Sequence, residues 1–219
     1  MANEHTEARA AEQVVEELDQ GVDVALVSDA GLPGVSDPGQ RVVSAAIAAR
    51  HRVTVLPGAS APAAALVVSG LSTRRYVVEG FLPRKGRERA AALSALAAEV
   101  RTTVILESPK RLAATLDDLV EVCGGTRRAA VVRELTKLHE EIARGTLLEL
   151  RERFGEAPKG ELVVVLAGAE PVDVGDEEIR ECLEEALSEG SSRRDAVEHV
   201  ASLLGVARNR VYDLAIAMG

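Results

Sequence analysis

Twelve consecutive residues, Ser28-Asp29-Ala30-Gly31-Leu32-Pro33-Gly34-Val35-Ser36-Asp37-Pro38-Gly39, are the most informative stretch for chemistry in this sequence. Three glycines and two prolines fix an unusual backbone path and let a ligand approach main-chain groups. Asp29 and Asp37 can accept hydrogen bonds from ligand amines or hydroxyls. The run matches neither Gly-x-Gly-x-x-Gly nor a P-loop, which needs Gly-Lys-Ser/Thr. A plain turn has similar composition, but the length and the two Asp-containing halves favour binding. Leu56-Pro57-Gly58-Ala59-Ser60 repeats the arrangement on a smaller scale, with Ser60 placed to cap the helix that follows. Glu79-Gly80-Phe81-Leu82-Pro83 leads into Arg84-Lys85-Gly86-Arg87-Glu88-Arg89, four bases in six residues. Such a run is either a solvated face or a phosphate contact. Arg133 to Glu140 gathers acid, base and imidazole groups, and Lys159-Gly160-Glu161 reads as a turn. His5, His51 and His199 lack company, and no pair of residues has a convincing metal spacing.

These segments follow β-rich runs. Strands are predicted at Val22–Val27, Arg52–Leu56, Tyr76–Glu79, Thr102–Glu107, Arg128–Glu134 and Glu161–Ala167. Helices are predicted at Thr6–Gln20, Arg41–Arg50, Ala61–Ser69, Arg87–Val100, Leu112–Cys123 and Thr146–Phe154. Apolar strand runs with helices between them imply an α/β class with mainly parallel sheets covered on both faces. Loops after such strands lie at the carboxyl ends, where open α/β sheets bind ligands. After Gly168 the character changes. An acidic helix over Asp176–Glu189 carries Ile179, Leu183 and Leu187 on one stripe, and helices over Arg193–Leu204 and Arg208–Met218 meet at Gly205. The division reads as 1–78, an incomplete N-terminal α/β domain; 79–169, a second one; and 170–219, an acidic linker with a helical tail. No strand precedes the first helix, so the chain reads as a fragment or as one begun late.

A net charge of −9 argues at first against a nucleic-acid partner. The acidity is local, however: residues 1–20 carry −5 and 170–189 carry −8, leaving +4 elsewhere. A basic face therefore remains open to the middle of the chain. Two Phe, two Tyr and no Trp weigh against base-stacking modules. Cys123 and Cys182 show neither ligand spacing nor a disulfide framework, as for two thiols in a reducing cytosol. The longest apolar stretch, Ala59–Leu71, contains Pro62 and Gly70 and is too short to span a bilayer, so a cytoplasmic, membrane-free protein is expected.

Taken together, the segments at 28–39, 57–60, 79–83, 133–137 and 159–161 resemble the 16S ribosomal RNA (cytidine-2′-O)-methyltransferase I family, within the tetrapyrrole-methylase-like superfamily. The resemblance covers about residues 3–169 and, more loosely, the tail. It implies two α/β/α domains of the tetrapyrrole methylase type, the first incomplete, plus a small C-terminal helical appendage. It also implies S-adenosylmethionine in a cleft, a homodimer, and methylation of a cytidine ribose in the small ribosomal subunit, with no DNA partner. By position, Asp29, Ala30, Gly31, Ser36, Asp37, Pro57, Gly58 and Ser60 would line the cofactor cleft, with Phe81 and Leu82 closing it. Glu134 is the candidate base and Lys137 the candidate electrostatic stabiliser; Arg84, Lys85, Arg87 and Arg89 are expected to hold RNA phosphates. Family members begin with a strand and a Gly-Asn-Leu-Gly-Asp loop, followed by Ala-Glu-Asp-Thr-Arg, and neither is found here. Two alternatives follow: a tetrapyrrole methyltransferase on the same fold, and a non-catalytic RNA- or ribosome-binding protein. A DNA-binding regulator built on the C-terminal helices is more distant.

Overall fold

A computed structural model describes residues 7–28, 31–35, 37–155, 158–170 and 174–218. The chain forms two compact units, Met1–Ala169 and Glu170–Gly219.

The first unit opens with three helices, α1 (Glu7–Asp19), α2 (Gln40–Ala48) and α3 (Ala61–Ser69). A five-stranded sheet follows: β1 (Tyr76–Phe81), β2 (Thr102–Glu107), β3 (Arg128–Arg133), β4 (Glu141–Thr146) and β5 (Leu162–Leu166). Helices α4 (Gly86–Ala98), α5 (Leu112–Cys123) and α6 (Leu147–Arg153) lie between strands. The spatial order is β1-β2-β5-β3-β4. Only β1 and β2 are parallel; β5 runs antiparallel to both β2 and β3, and β4 antiparallel to β3. The expectation of a mainly parallel sheet is therefore corrected. An apolar run such as Leu162-Val163-Val164-Val165-Leu166 records burial on both faces, which this central strand has, and not strand direction.

Alternation on the strands divides the core in two. Ile105, Val131 and Val164 pack with Leu93, Leu116, Leu119 and Leu150 from α4, α5 and α6. On the opposite face, Val104, Ala130, Val132, Val163 and Val165 pack with Ala65 and Leu66 of α3. Thr146 ends β4 and caps α6 through a capping box with Glu149. At the far end of the sheet, the Arg127 guanidinium donates to the carbonyls of Ala97, Glu99 and Ala167, tying three connections together.

Two predicted strands are absent. Val22–Val27 and Arg52–Leu56 are irregular, with Val27 81% and Leu56 85% exposed. Each has the composition of a buried strand, but a strand also needs a ladder partner, and among the described residues neither segment has one. Conversely, β4 was not predicted. Its Glu-Ile-Ala-Arg-Gly-Thr sequence is polar because it is an edge strand.

In the second unit, α7 (Asp176–Ser188), α8 (Arg193–Leu204) and α9 (Arg208–Ala217) close around Ile179, Leu183, Val197, Val200 and Val211. Leu187 of the expected stripe joins this core as a partly buried residue. Gly205 at φ 63° ends α8 in the left-handed conformation and turns the chain into α9. Among the described residues, no helix is long and apolar enough to cross a membrane.

A Cβ placed on Gly168 would lie 1.9 Å from the carbonyl oxygen of Val100, so Gly168→Ala must displace the backbone after β5. We expect it to cost about 1–3 kcal/mol, read as a lowered urea midpoint at unchanged m-value.

Candidate functional site

The loop between residue 28 and α2 is shaped by glycines and held from α1. Gly31 (φ 80°), Gly34 (φ 81°) and Gly39 (φ 144°) occupy conformations that side-chain-bearing residues rarely adopt. Ser28 donates its hydroxyl to the Gly31 carbonyl at 3.0 Å. Glu7 is buried, and its Oε1 accepts the main-chain N–H groups of Gly39 at 2.7 Å and Arg41 at 3.0 Å. A carboxylate 32 residues away thus occupies the N-terminal end of α2, where amides lack helical partners. Sequence reasoning missed Glu7, since it looks like one more acid on an acidic helix.

The second loop lies against the first. A Cβ on Gly31 would meet the Ala59 carbonyl at 3.2 Å, and one on Gly58 would meet Leu32 at 3.5 Å. Bare main chain at Gly31, Pro57 and Gly58 and the carboxylate of Asp37 are all exposed. Among the described residues, these groups suit a ligand with an ammonium group and hydroxyls: the Asp37 carboxylate can accept from them, and glycine main chain permits a close approach. Ser60 occupies the N-cap position of α3 but makes no side-chain cap bond. Asp29, Ala30 and Ser36 lie outside the described residues.

The other candidates share one rim of the sheet. Leu106 pairs with Phe81, Leu162 with both Glu107 and Arg133, and Arg133 with Glu141. The ends of β1, β2 and β3 are therefore level with the starts of β5 and β4. At ~4.8 Å per strand, β1 and β3 are about 14 Å apart along this rim.

At the β1 end, Phe81 is exposed and Leu82 is buried at 2%. Leu82 belongs to the core beneath the loop, while the aromatic ring next to it faces out. Arg84, Lys85 and Arg87 are exposed, and none makes an ion pair among the described residues. Arg89 differs. Its guanidinium donates to Asp118, to Thr115 Oγ1 and to the Pro83 carbonyl, and its side chain is 12% exposed. Thr115 in turn donates to Glu107, whose side chain is fully buried, and Arg111 lies 3.4 Å from Glu107 while donating to the Leu82 carbonyl. Arg89 is thus committed to holding the loop, and only its three neighbours project free charge. Glu107, Arg111, Thr115 and Asp118 were not singled out from sequence. The visible signal was an acid ending a buried strand.

At the β3 end, the structure joins two segments that sequence reasoning kept apart. Glu134 Oε1 accepts the Glu161 main-chain N–H at 2.9 Å and the Lys137 ammonium at 3.1 Å. Lys137 also donates to Glu161 Oε2 at 3.0 Å. Glu134 and Thr136 both adopt positive φ, 50° and 66°, so the backbone is bent into this latch. Gly160 leaves room for it: a Cβ there would meet the Glu134 carboxyl at 2.4 Å. The Glu161 N–H, and then Lys137, hold the Glu134 carboxyl below the usual carboxylate range. Glu161, and then Glu134, raise Lys137 above the usual lysine value. The result is a fixed cation beside a weakly basic carboxylate. Among the described residues, no group of His, Cys, Asp and Glu suits a metal ion.

A family model described as tetrapyrrole (corrin/porphyrin) methylases matches residues 1–151. The chain is 42% identical to a "Ribosomal RNA small subunit methyltransferase I" of Synechocystis sp., over 99% of this chain and 79% of that one. It is 45% identical to a protein of the same name from Mycobacterium tuberculosis, over 97% of this chain and 75% of that one. Among solved structures, it is similar to the methyltransferase CobJ, with a TM-score of 0.58 and 23% identity over 77% of this chain and 74% of that one. A diphthine synthase gives 0.53 and 14% over 76% and 68%. At these identities the two structures bear on fold alone.

The latch has a pH signature. Because the folded pKa of Glu134 is depressed, its contribution to stability is present above the ordinary value of about 4.3 and is lost as pH falls through the depressed value. Carboxyl NMR should place Glu134 below the ordinary range. Lys137→Met should move it part of the way back, since the Glu161 N–H remains.

Proposed function

The chain belongs to the tetrapyrrole methylase family, in the branch of the ribosomal RNA small subunit methyltransferase I proteins, and from that membership we propose that it uses S-adenosylmethionine to methylate a cytidine ribose 2′-hydroxyl in 16S ribosomal RNA. The observation that carries this reading is 42–45% identity to that branch along 97–99% of this chain. Working as a cytoplasmic homodimer on the small subunit belongs to the same proposal.

When bound, S-adenosylmethionine supplies an electrophilic methyl group on a sulfonium. Asp37 and the exposed main chain at Gly31, Pro57 and Gly58, with Ser60, would hold it. Asp29, Ala30 and Ser36 belong to the same loop, and Phe81 is assigned to closing the site. Leu82 supports Phe81 from below, because its own side chain is in the core. Arg84, Lys85 and Arg87 would take RNA phosphates, while Arg89 keeps their loop in place. A ribose hydroxyl is a poor nucleophile, and a fixed cation lowers the cost of charge developing on its oxygen. Lys137 suits that role, since its two carboxylate partners keep it protonated and oriented. Glu134 was the candidate base. With one oxygen already accepting two hydrogen bonds, it serves better to hold Lys137 than to take a proton.

The test supplies labelled S-adenosylmethionine with unmethylated small subunits, and a porphyrinogen as the competing acceptor. The expected product is one 2′-O-methylcytidine in the ribosomal RNA. A base-methylated nucleotide, or transfer to the porphyrinogen alone, overturns the reading. Lys137→Ala should lower kcat by on the order of 10²-fold with RNA affinity preserved. Replacing Arg84, Lys85 and Arg87 by Gln should reduce the salt slope of RNA binding by about 2.

A further inference from the structure

Strand β1 is an edge of the sheet, and its register contains an irregularity. Tyr76 pairs with Thr102 and Val78 with Val104; the pairing then skips Glu79, so that Gly80 meets Ile105 and Phe81 meets Leu106. Paired neighbours share a face, and in an uninterrupted strand residues 76 and 81 would point to opposite sides. The bulge at Glu79 reverses the alternation and brings Phe81 onto the side of Tyr76 and Val78. This is the α3 side, since Val104 and Leu106 belong to that core. Helix α3 packs on β2, β3, β4 and β5, and the three β1 side chains stay open: Tyr76 46%, Val78 42% and Phe81 57% exposed. Two of the four aromatic rings in the chain therefore stand on one short ridge.

Cations flank both ends of that ridge. Arg74 and Arg75 precede β1, and Arg84, Lys85 and Arg87 follow it. All five are exposed, and none makes an ion pair among the described residues. Over residues 72–89 the only acids are Glu79 and Glu88. At ~3.3 Å per residue, six residues of strand separate the two clusters by about 20 Å.

We infer that the β1 edge is a docking track for a single-stranded RNA segment, with bases stacking on Tyr76 and Phe81 and phosphates meeting the flanking arginines and lysine. Exposed rings between cations are what a polyanion with flat bases needs, whatever its sequence. A second copy of this chain fits less well. Twofold edge-to-edge pairing of β1 would set Arg74 and Arg75 of one copy against Arg84, Lys85 and Arg87 of the other, and like charges there repel. The inference rests on the reading that this protein acts on RNA. It adds that the acceptor is held as an unpaired strand, and it enlists Arg74, Arg75 and Tyr76, to which no role has been given above.

The test measures anisotropy of a labelled single-stranded RNA of about twelve nucleotides against the whole protein, without methyl donor, at several salt concentrations. Tyr76→Ala should weaken binding roughly 5- to 100-fold, and Tyr76→Phe, which keeps the ring, should restore it. Replacing Arg74 and Arg75 by Gln should flatten the salt slope by about 1.4. In a Tyr212→Phe background Tyr76 is the only tyrosine in a chain without Trp, and its emission should fall when RNA binds. Unchanged affinity in Tyr76→Ala overturns the inference. So does a Tyr76→Ala protein that sediments at lower mass while binding RNA as before, which would make the ridge an interface between copies. Wild-type protein that ignores single strands at low salt also overturns it. RNA binding insensitive to the ridge leaves the methyltransferase reading standing. Ridge-dependent binding without methyl transfer to ribosomal RNA removes that reading and leaves the ridge.

Discussion

The insertion of β5 between β2 and β3 is the constraint on which the rest of the first unit depends. All five residues of this strand are buried, so both faces must be covered, and both edges must find a ladder partner. It finds them by running antiparallel to its two neighbours. That reversal brings the start of β5 level with the ends of β2 and β3. Glu161, one residue before the strand, is thereby placed against Glu134, one residue after β3. The Glu134–Lys137–Glu161 latch is thus a product of strand order and could not form at this rim if β5 ran parallel.

The same rim carries a buried polar web where a simpler design would use apolar packing. Glu107 is withdrawn from water and is compensated by Thr115, the Ser108 N–H and Arg111. Removing one partner of such a pair costs about 3–5 kcal/mol, because the charge left behind stays buried. As a source of stability alone the arrangement is inefficient. Its specific output is the fixing of two main-chain carbonyls, Leu82 by Arg111 and Pro83 by Arg89. These belong to the loop on which Arg84 and Lys85 are carried. Charged donors hold that loop from inside, and its own exposed cations are left free.

Much of this was legible in the sequence, and what was missed has common causes. The helices from α1 to α9 fall within two residues of their predicted positions, because amphipathic stripes such as Ile179–Leu183 and breaks such as Gly205 are local. Strand direction was not legible, since Leu162–Leu166 records only its burial. Val22–Val27 shows the opposite failure: its pattern is that of a strand, but ladder formation depends on a neighbour that a local pattern does not specify. In the site, the loops were visible as glycine-rich motifs with unusual composition. The residues that hold them were not, because Glu7 and Arg111 act on main chain distant in sequence and Glu107 acts through the side chains of Thr115 and Arg111. Arg89 shows the limit most clearly. Sequence makes it the fourth member of a basic run, and only the fold separates it from the other three.

The overall charge has a similar lesson in it. A chain at −9 repels polyanions at long range, but at physiological ionic strength fields between exposed charges fade over about 8 Å. What an approaching phosphate meets is therefore set by the nearest few side chains. Near β1 these are five arginine and lysine side chains with no carboxylate partner among the described residues. Cations already neutralised by ion pairs would contribute little to binding, since neutralising a phosphate releases its counterions only if the cation is available. Arg89, Arg101, Arg133 and Arg153 are occupied in this way. In the proposed function, RNA binding thus depends on which basic residues the fold leaves unpaired, and the net charge of the chain does not report it.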